Sequence, residues 1–253
     1  MANDATSRFS NRVAHYVKYR PGYPPQVLDY LEKQCHLTPD SVIADIGSGT
    51  GIFTKLLLDR DYKVYAVDPN EAMRHEAEKQ LKHYPNFHSV NGLADTTTLT
   101  AKSIDLIVCA QAFHWFNTPE TKGEFKRILA PYGHAALIWN NRCTDADDFA
   151  IAYELLLQQQ SNDYERVNHQ NLGEADFANF YRDGKYKLVK FSNLQVFNCE
   201  QLTGRAFSSS YLPASDTEAG QALCIQLKHL FDQYQTNGTV MFQYDTEVYW
   251  GKV

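Results

Sequence analysis

The sequence predicts an α/β protein built on a doubly wound, parallel sheet. Three observations carry this. Short β-branched runs alternate with amphipathic helical segments through the first 142 residues, three glycines at alternate positions follow the first run, and the second run ends in an aspartate. Ligands of such sheets bind beyond the carboxyl ends of the strands, near the change in strand order. The glycines and the aspartate fall there.

Each element has a local reason. Segment 24–35 opens on a proline pair and puts Val27, Leu28 and Leu31 on one helical face. Strand one is expected over 41–46, followed by Gly47, Gly49 and Gly51 and a helix over 50–60. Strand two covers 63–68, a helix 70–82, strand three 86–91 and strand four 104–110. Thr118-Pro119-Glu120 supplies a cap residue, a proline and a first-turn acid, so a helix runs from 118 to 130, where Pro131-Tyr132-Gly133 stops it. Strand five follows over 134–140. Beyond residue 142 the pattern is less regular. Strands are expected at 186–197 and 240–250, with helices at 200–209 and 215–235 between them, the second carrying Leu223, Leu227, Leu230 and Phe231 on one side. That insertion reads as a cover over the strand ends.

Bulk properties narrow the function classes. The 253 residues suffice for one α/β domain, and 43% hydrophobic with 13% aromatic residues is ample for its core. No run approaches the ~20 apolar residues of a membrane span, and the amino terminus lacks an apolar signal-peptide region. A net charge of −6 disfavours nucleic acid as partner. Cys35, Cys109, Cys143, Cys199 and Cys224 are scattered and form no C-x-x-C pair, so free thiols in the cytoplasm are expected, with neither metal nor disulfide framework.

The glycine spacing separates two cofactors. A dinucleotide fingerprint is G-x-G-x-x-G, and its third glycine would fall on Ile52; here the pattern is G-x-G-x-G. Asp45 precedes the loop, where a pyrophosphate would meet like charge. A ligand with an ammonium and a sulfonium and no phosphate suits that acidic edge, and S-adenosylmethionine is such a ligand.

Further motifs stand in order: Asp45-Ile-Gly-Ser-Gly-Thr-Gly51, Val64-Tyr-Ala-Val-Asp-Pro-Asn-Glu-Ala-Met73, Gly92-Leu-Ala-Asp95, Ile104-Asp-Leu-Ile-Val-Cys-Ala-Gln-Ala-Phe-His-Trp-Phe116, Phe125-Lys-Arg-Ile-Leu-Ala-Pro-Tyr-Gly133 and Leu137-Ile-Trp-Asn-Asn-Arg142, with Phe9-Ser-Asn-Arg and Tyr19-Arg-Pro-Gly-Tyr-Pro24 ahead of them. Through these residues the chain resembles class I S-adenosylmethionine-dependent methyltransferases, and among them the small-molecule branch that includes the trans-aconitate methyltransferase type. The resemblance spans the first 142 residues well and the remainder weakly. It implies a seven-stranded, mostly parallel Rossmann-like sheet whose two closing strands form an antiparallel hairpin. It also implies S-adenosylmethionine as cofactor and O-methylation of a small carboxylic acid. Ser48 stands where cysteine is frequent, Leu93 where threonine is common, and Asp95 where glutamate is usual. The stretch Ala110-Gln-Ala-Phe113 lacks the Asn-Pro-Pro-Tyr type motif used on exocyclic amines.

A single domain over 1–253 is expected, with residues 1–24 as an amino-terminal lid, 25–142 as the cofactor-binding core and 143–253 as closing strands and helical cover. Gly47, Gly49 and Gly51 would let the cofactor approach the main chain. Asp68 would accept hydrogen bonds from the ribose hydroxyls, or else cap the helix beginning at Pro69. Asp45 either shapes the loop or reaches the ammonium through a neighbour or water. By resemblance, Ala94 and Asp95 would face the adenine amine, Asp95 otherwise being a solvated loop acid, and Met73 would pack on the adenine or in the core. Ala110 and Gln111 lead from strand four to His114 and Trp115 at the point of methyl transfer. There His114 would orient the acceptor, remove its proton, or only pack. In the lid, Tyr16, Tyr19 and Arg20 would close the site, Arg20 pairing the cofactor carboxylate or an acidic substrate, or remaining solvated. Asn140, Asn141 and Arg142 flank the same mouth, Arg142 as a carboxylate ligand or a surface residue, and Ser208 to Tyr211 reach toward the acceptor. Alternatives are nitrogen or hydroxyl methylation of another metabolite, and a protein that binds S-adenosylmethionine without turnover. The expected partner is a small acceptor, with no membrane and a monomer or weak homodimer.

Overall fold

A computed structural model describes residues 18–161, 172–209 and 211–253. Five strands alternate with helices in the first part: α1 (Gln26–Cys35), β1 (Val42–Ile46), α2 (Ile52–Leu58), β2 (Lys63–Val67), α3 (Glu71–Leu81), β3 (Phe87–Val90), β4 (Ile104–Ala110), α4 (Pro119–Ile128) and β5 (Leu129–Arg142). Then come α5 (Asp148–Gln160), α6 (Glu174–Phe180), β6 (Lys187–Phe197), α7 (Cys199–Phe207), α8 (Glu218–Tyr234) and β7 (Val240–Gly251). The strands form one sheet in the order β3-β2-β1-β4-β5-β7-β6. The first five pair in parallel, and β7 enters antiparallel between β5 and β6. The closing pair is therefore antiparallel as expected, joined through α7 and α8 rather than by a tight turn.

Alternation along the strands covers both faces, as a parallel sheet requires. Ala44 and Ile46, Ile107 and Cys109, and Leu137 and Trp139 point to one side, where Phe125 and Ile128 of α4 and Phe177 and Phe180 of α6 pack. Ile43, Leu106, Val108, Ala136 and Ile138 point to the other, against Val27, Leu28 and Leu31 of α1 and Phe53 and Leu57 of α2. A third cluster makes the cover. It joins Phe149, Tyr153 and Leu157 of α5, Leu202 and Ala206 of α7, Leu223 and Leu227 of α8, and Phe242 and Tyr244 from the start of β7.

Four elements depart from expectation. Helix α4 ends at Ile128, and Pro131-Tyr132-Gly133 lies inside β5 instead of terminating a helix. The β4 partner jumps from Leu129 to His134 between Ile104 and Leu106, so these residues bulge out where proline has no N–H to give the ladder. A side chain at Gly133 would stand 2.9 Å from the Ile104 carbonyl oxygen, which is why glycine sits in the bulge. Helices α5 and α6 occupy stretches for which no element was expected.

Candidate functional site

The loop after β1 and the residue after β2 form one unit. Gly47, Gly49 and Gly51 hold φ of +72°, +56° and +83°, the left-handed region that side chains disfavour. Their surroundings differ. A Cβ on Gly47 would lie 2.5 Å from Ala112 Cβ, and one on Gly51 would lie 2.6 Å from Leu81 Cδ1, whereas one on Gly49 meets nothing within 4 Å. Protein thus fills the space beside two of the glycines, and only Gly49 opens it to a ligand. The Gly49 N–H donates to Asp68 Oδ2 at 2.8 Å, and the Asn70 N–H donates to Oδ1 at 2.8 Å. The helix cap is Asn70, whose side chain accepts from the Met73 N–H, so the cap lies two residues beyond Asp68. Arg74 donates to the Asp68 carbonyl oxygen at 2.9 Å.

Asp45 is 1% exposed. Its Oδ2 accepts from the Thr54 hydroxyl at 2.6 Å, while Oδ1 has no hydrogen-bond partner. Burial pushes its carboxyl up to about 7, against the opposing Thr54 bond and with the help of the nearby Asp68 charge. Burial also raises the Asp68 carboxyl, opposed by the Asn70 and Gly49 N–H groups and by Arg74. The Thr50 hydroxyl, buried in the same loop, likewise has no partner. A buried acceptor without a donor is costly unless a ligand completes it. A cation with N–H donors fits this edge; a phosphate does not.

Residues 93–96 form a turn in which Thr96 donates its N–H to Leu93. Ala94 is buried and Asp95 exposed, its Oδ1 accepting from the Thr96 hydroxyl. The turn is anchored by Glu124, which accepts from the Thr97 N–H at 2.9 Å and from Arg127 Nε at 2.6 Å. Arg127 and the Thr97 bonds hold the Glu124 carboxyl down to about 2, against its desolvation. Met73 shares the buried face of α3 with Ala77 and Leu81.

Beyond Ala110, Gln111 is left-handed at φ +60° although it is not glycine. Its N–H donates to the Ile138 carbonyl at 2.8 Å, so strand pairing pins a strained residue where the loop leaves β4. Residues Phe113–Trp115 make one turn of 3₁₀ helix. Phe113 points into the core, 4.5 Å from the Phe180 ring. His114 and Trp115 stay half-buried. The Trp139 indole N–H approaches His114 Nδ1 at 3.5 Å.

At the mouth, residues 18–24 dock across the sheet end. Asn140 and Asn193 both donate to the Gly22 carbonyl, at 3.1 and 2.8 Å. The Tyr19 ring lies on Gly204, where a Cβ would come within 2.1 Å of it. Arg20 Nη2 donates to the Ser208 carbonyl at 3.0 Å. Residues 1–17 of the expected lid, Phe9 to Arg12 and Tyr16 among them, lie outside the described residues, as does Ser210. Asn141 and Tyr211 are half-buried. Arg142 is corrected. It is neither a surface residue nor an open carboxylate ligand, because its guanidinium pairs with Glu154 and stacks 4.8 Å from the centre of the Tyr153 ring. A helix that the sequence reading did not anticipate supplies the Glu154 carboxylate.

Residues 44–137 match the family model described as a methyltransferase domain. Over 135 residues the chain is 35% identical to an uncharacterized methyltransferase of Schizosaccharomyces pombe, covering 53% of each. It is 31% identical over 125 residues to a probable S-adenosylmethionine-dependent methyltransferase of Saccharomyces cerevisiae, covering 47% of this chain and 42% of that one. Over residues 44–137, then, the chain is similar to methyltransferase domains. The chain spans about half the length of the curated relatives it matches. A solved structure from Anaeromyxobacter dehalogenans, described as a candidate type II methyltransferase, shares the fold with a TM-score of 0.69 at 19% identity, over 92% of this chain and 98% of that one.

The sheet brings several of the expected residues to its strand ends, and other residues join them there. Thr54 and Arg74 brace the two acids, and their signal was available: both lie on the first turns of helices that follow the glycine loop and Asp68. Arg205 is the other omission. It stands between Leu202 and Ala206 on the apolar face of α7, a lone cation in an otherwise buried stripe. Among the described residues, no helix is long and apolar enough to cross a membrane.

Proposed function

We propose that the protein transfers the methyl group of S-adenosylmethionine to a carboxylate oxygen of a small acceptor, giving a methyl ester as in the trans-aconitate methyltransferase type. The acidic edge supports the cofactor half of this reading: two buried carboxylates flank Gly49, the glycine of the loop after β1 with open space beside it, and one of them has an unpartnered oxygen. Asp68 would take the ribose hydroxyls on lone pairs left after its two main-chain bonds. Asp45 Oδ1 would accept from the ammonium, and Ala94 and Asp95 would face the adenine amine, with Met73 behind them.

The cofactor supplies an electrophilic methyl on sulfonium sulfur. A carboxylate acceptor has no proton to lose, so the chain needs to align and desolvate it and requires no general base. His114 suits this role. Its Nδ1 faces a donor in Trp139, which favours the tautomer carrying hydrogen on Nε2, a donor for an acceptor oxygen. Trp115 and the docked Tyr19–Arg20 segment would keep water out. In this reading residues 1–24 act as lid and 143–253 as closing strands and cover of a single domain.

Calorimetric titration with S-adenosylmethionine and S-adenosylhomocysteine tests the proposal, followed by measurement of S-adenosylhomocysteine release with a panel of carboxylic acids. Micromolar binding that Asp68→Ala abolishes, with release only on adding an acid, supports it. Absence of binding, or turnover on amines alone, overturns it.

A further inference from the structure

Two guanidinium groups approach Tyr153, the half-buried Arg142 and the buried Arg205, and only one has a counterion. Arg142 is paired with Glu154. Arg205, 9% exposed, has no carboxylate partner among the described residues. Its Nη1 reaches the hydroxyls of Ser208 and Ser209 at long distances of 3.4 and 3.3 Å, and its Nε is buried with no hydrogen bond. The Tyr244 phenol also hydrogen-bonds the guanidinium, and the phenols of Tyr153 and Tyr211 lie nearby, so every partner among the described residues is a neutral hydroxyl. Guanidinium stays charged at every physiological pH, and an unpaired buried charge is among the costliest features a core can hold. Replacing it with an apolar residue of similar size would improve the cover, so its presence calls for a ligand.

Its place in the fold says which ligand. Arg205 lies on α7, against β7 where that strand pairs with the end of β5: Tyr244 stands opposite Arg142 in the register. Ser208, which Arg205 touches, also accepts from Arg20 of the docked amino-terminal segment. The cation therefore sits above the carboxyl ends of the strands, on the acceptor side.

We propose that Arg205 is a specificity-determining residue that binds an anionic group of the acceptor, a carboxylate remote from the atom that is methylated. This rests on the methyl-transfer reading above. The reacting oxygen must be a free nucleophile, and a carboxylate neutralised by a buried guanidinium is a poor one, so the group held here anchors and does not react. The acceptor then carries at least one charge beyond the oxygen that accepts the methyl.

The probe is acetate, the smallest carboxylate able to enter such a site, with acetamide as its neutral control. In protein labelled with ¹⁵N-arginine, the Arg205 Nε–H signal is assigned by its loss in Arg205→Lys. Acetate should move that signal saturably and acetamide should not. No movement, or equal movement with both, overturns the proposal. Arg205→Met adds a second reading. Relief of an uncompensated charge should leave its melting temperature at or above that of the wild type, while acetate protection disappears. A lower melting temperature with acetate protection intact would mark a structural arginine and overturn the proposal. With a turned-over acid, Arg205→Met should raise KM roughly 30-fold or more with little change in kcat. Calorimetry with S-adenosylmethionine on the same proteins keeps the two claims apart: loss of cofactor binding by the wild type refutes the methyltransferase reading, and the acetate result still judges Arg205.

Discussion

The Gly49 N–H donates to Asp68 Oδ2 at 2.8 Å, which ties the loop after β1 to the end of β2 through the residue proposed to hold the ribose. Asp68→Ala should therefore do two things at once: remove the acceptor for the ribose and free the loop. We expect S-adenosylmethionine affinity to fall about 100-fold, near 3 kcal/mol for charge-assisted bonds. Calorimetry measures it, and a loss under threefold would contradict the assignment.

The glycines should separate by function. Gly47→Ala meets Ala112 and keeps a left-handed residue, so it should lose well over the ~1–2 kcal/mol of backbone strain alone. Gly49→Ala meets no protein atom, and it should melt closer to wild type while binding cofactor poorly. Thermal melts paired with binding titrations distinguish the two, and reversed ranks would refute the account of where the ligand lies.

Asp45 gives stability a defined pH slope. Its carboxyl is raised to about 7 in the folded protein, above its ordinary unfolded value. The folded state then holds a proton that the unfolded chain releases, so this contribution is complete below the unfolded pKa and is lost as pH rises through about 7. Asp45→Asn should flatten chemical-denaturation stability between those values. If the ammonium sits at Asp45, cofactor binding near pH 6–7 should also release a proton, seen as a calorimetric enthalpy that varies with buffer. A buffer-independent enthalpy would place the ammonium elsewhere.

Removing one partner of the Arg142–Glu154 pair should cost about 3–5 kcal/mol, because the other charge is left buried. Glu154→Gln is the informative variant. It should destabilise the cover in denaturant melts, and if stability stayed at wild type the pair would be shown not to form.

His114→Asn should lower kcat/KM by about 10-fold if the imidazole only orients the acceptor. Loss of a general base costs more, typically 10²–10⁴-fold. The size of the decrease in turnover decides between them.

The parallel core was legible because its signals are local: β-branched runs, a glycine loop with positive φ, and an acid after β2. The acids at 45 and 68 could be named from sequence, but their division of labour with Thr54 and the Gly49 N–H depends on contacts across nine and nineteen positions of chain, respectively. Pro131–Gly133 misled for a related reason. A proline and glycine after a helix look like a stop, and only the partner strand reveals a bulge. Helix α5 did carry a readable start, since the Asp147 side chain caps it through the Ala150 N–H, and its apolar positions recur at helical spacing. Whether Arg142 faces solvent or a carboxylate depends on α5, which brings Glu154 to it from twelve positions away, and Arg205 is marked in the sequence only as a cation within the apolar stripe of α7.

The antiparallel entry of β7 also sets the timetable of synthesis. β5 is complete once residue 142 has emerged, yet its free edge waits for a partner that begins at Val240, about 100 residues later. At ordinary elongation rates of roughly 5–20 residues per second this leaves an apolar strand edge exposed on the nascent chain for about 5–20 seconds. For that interval the edge is an open template on which a second nascent chain can add a strand.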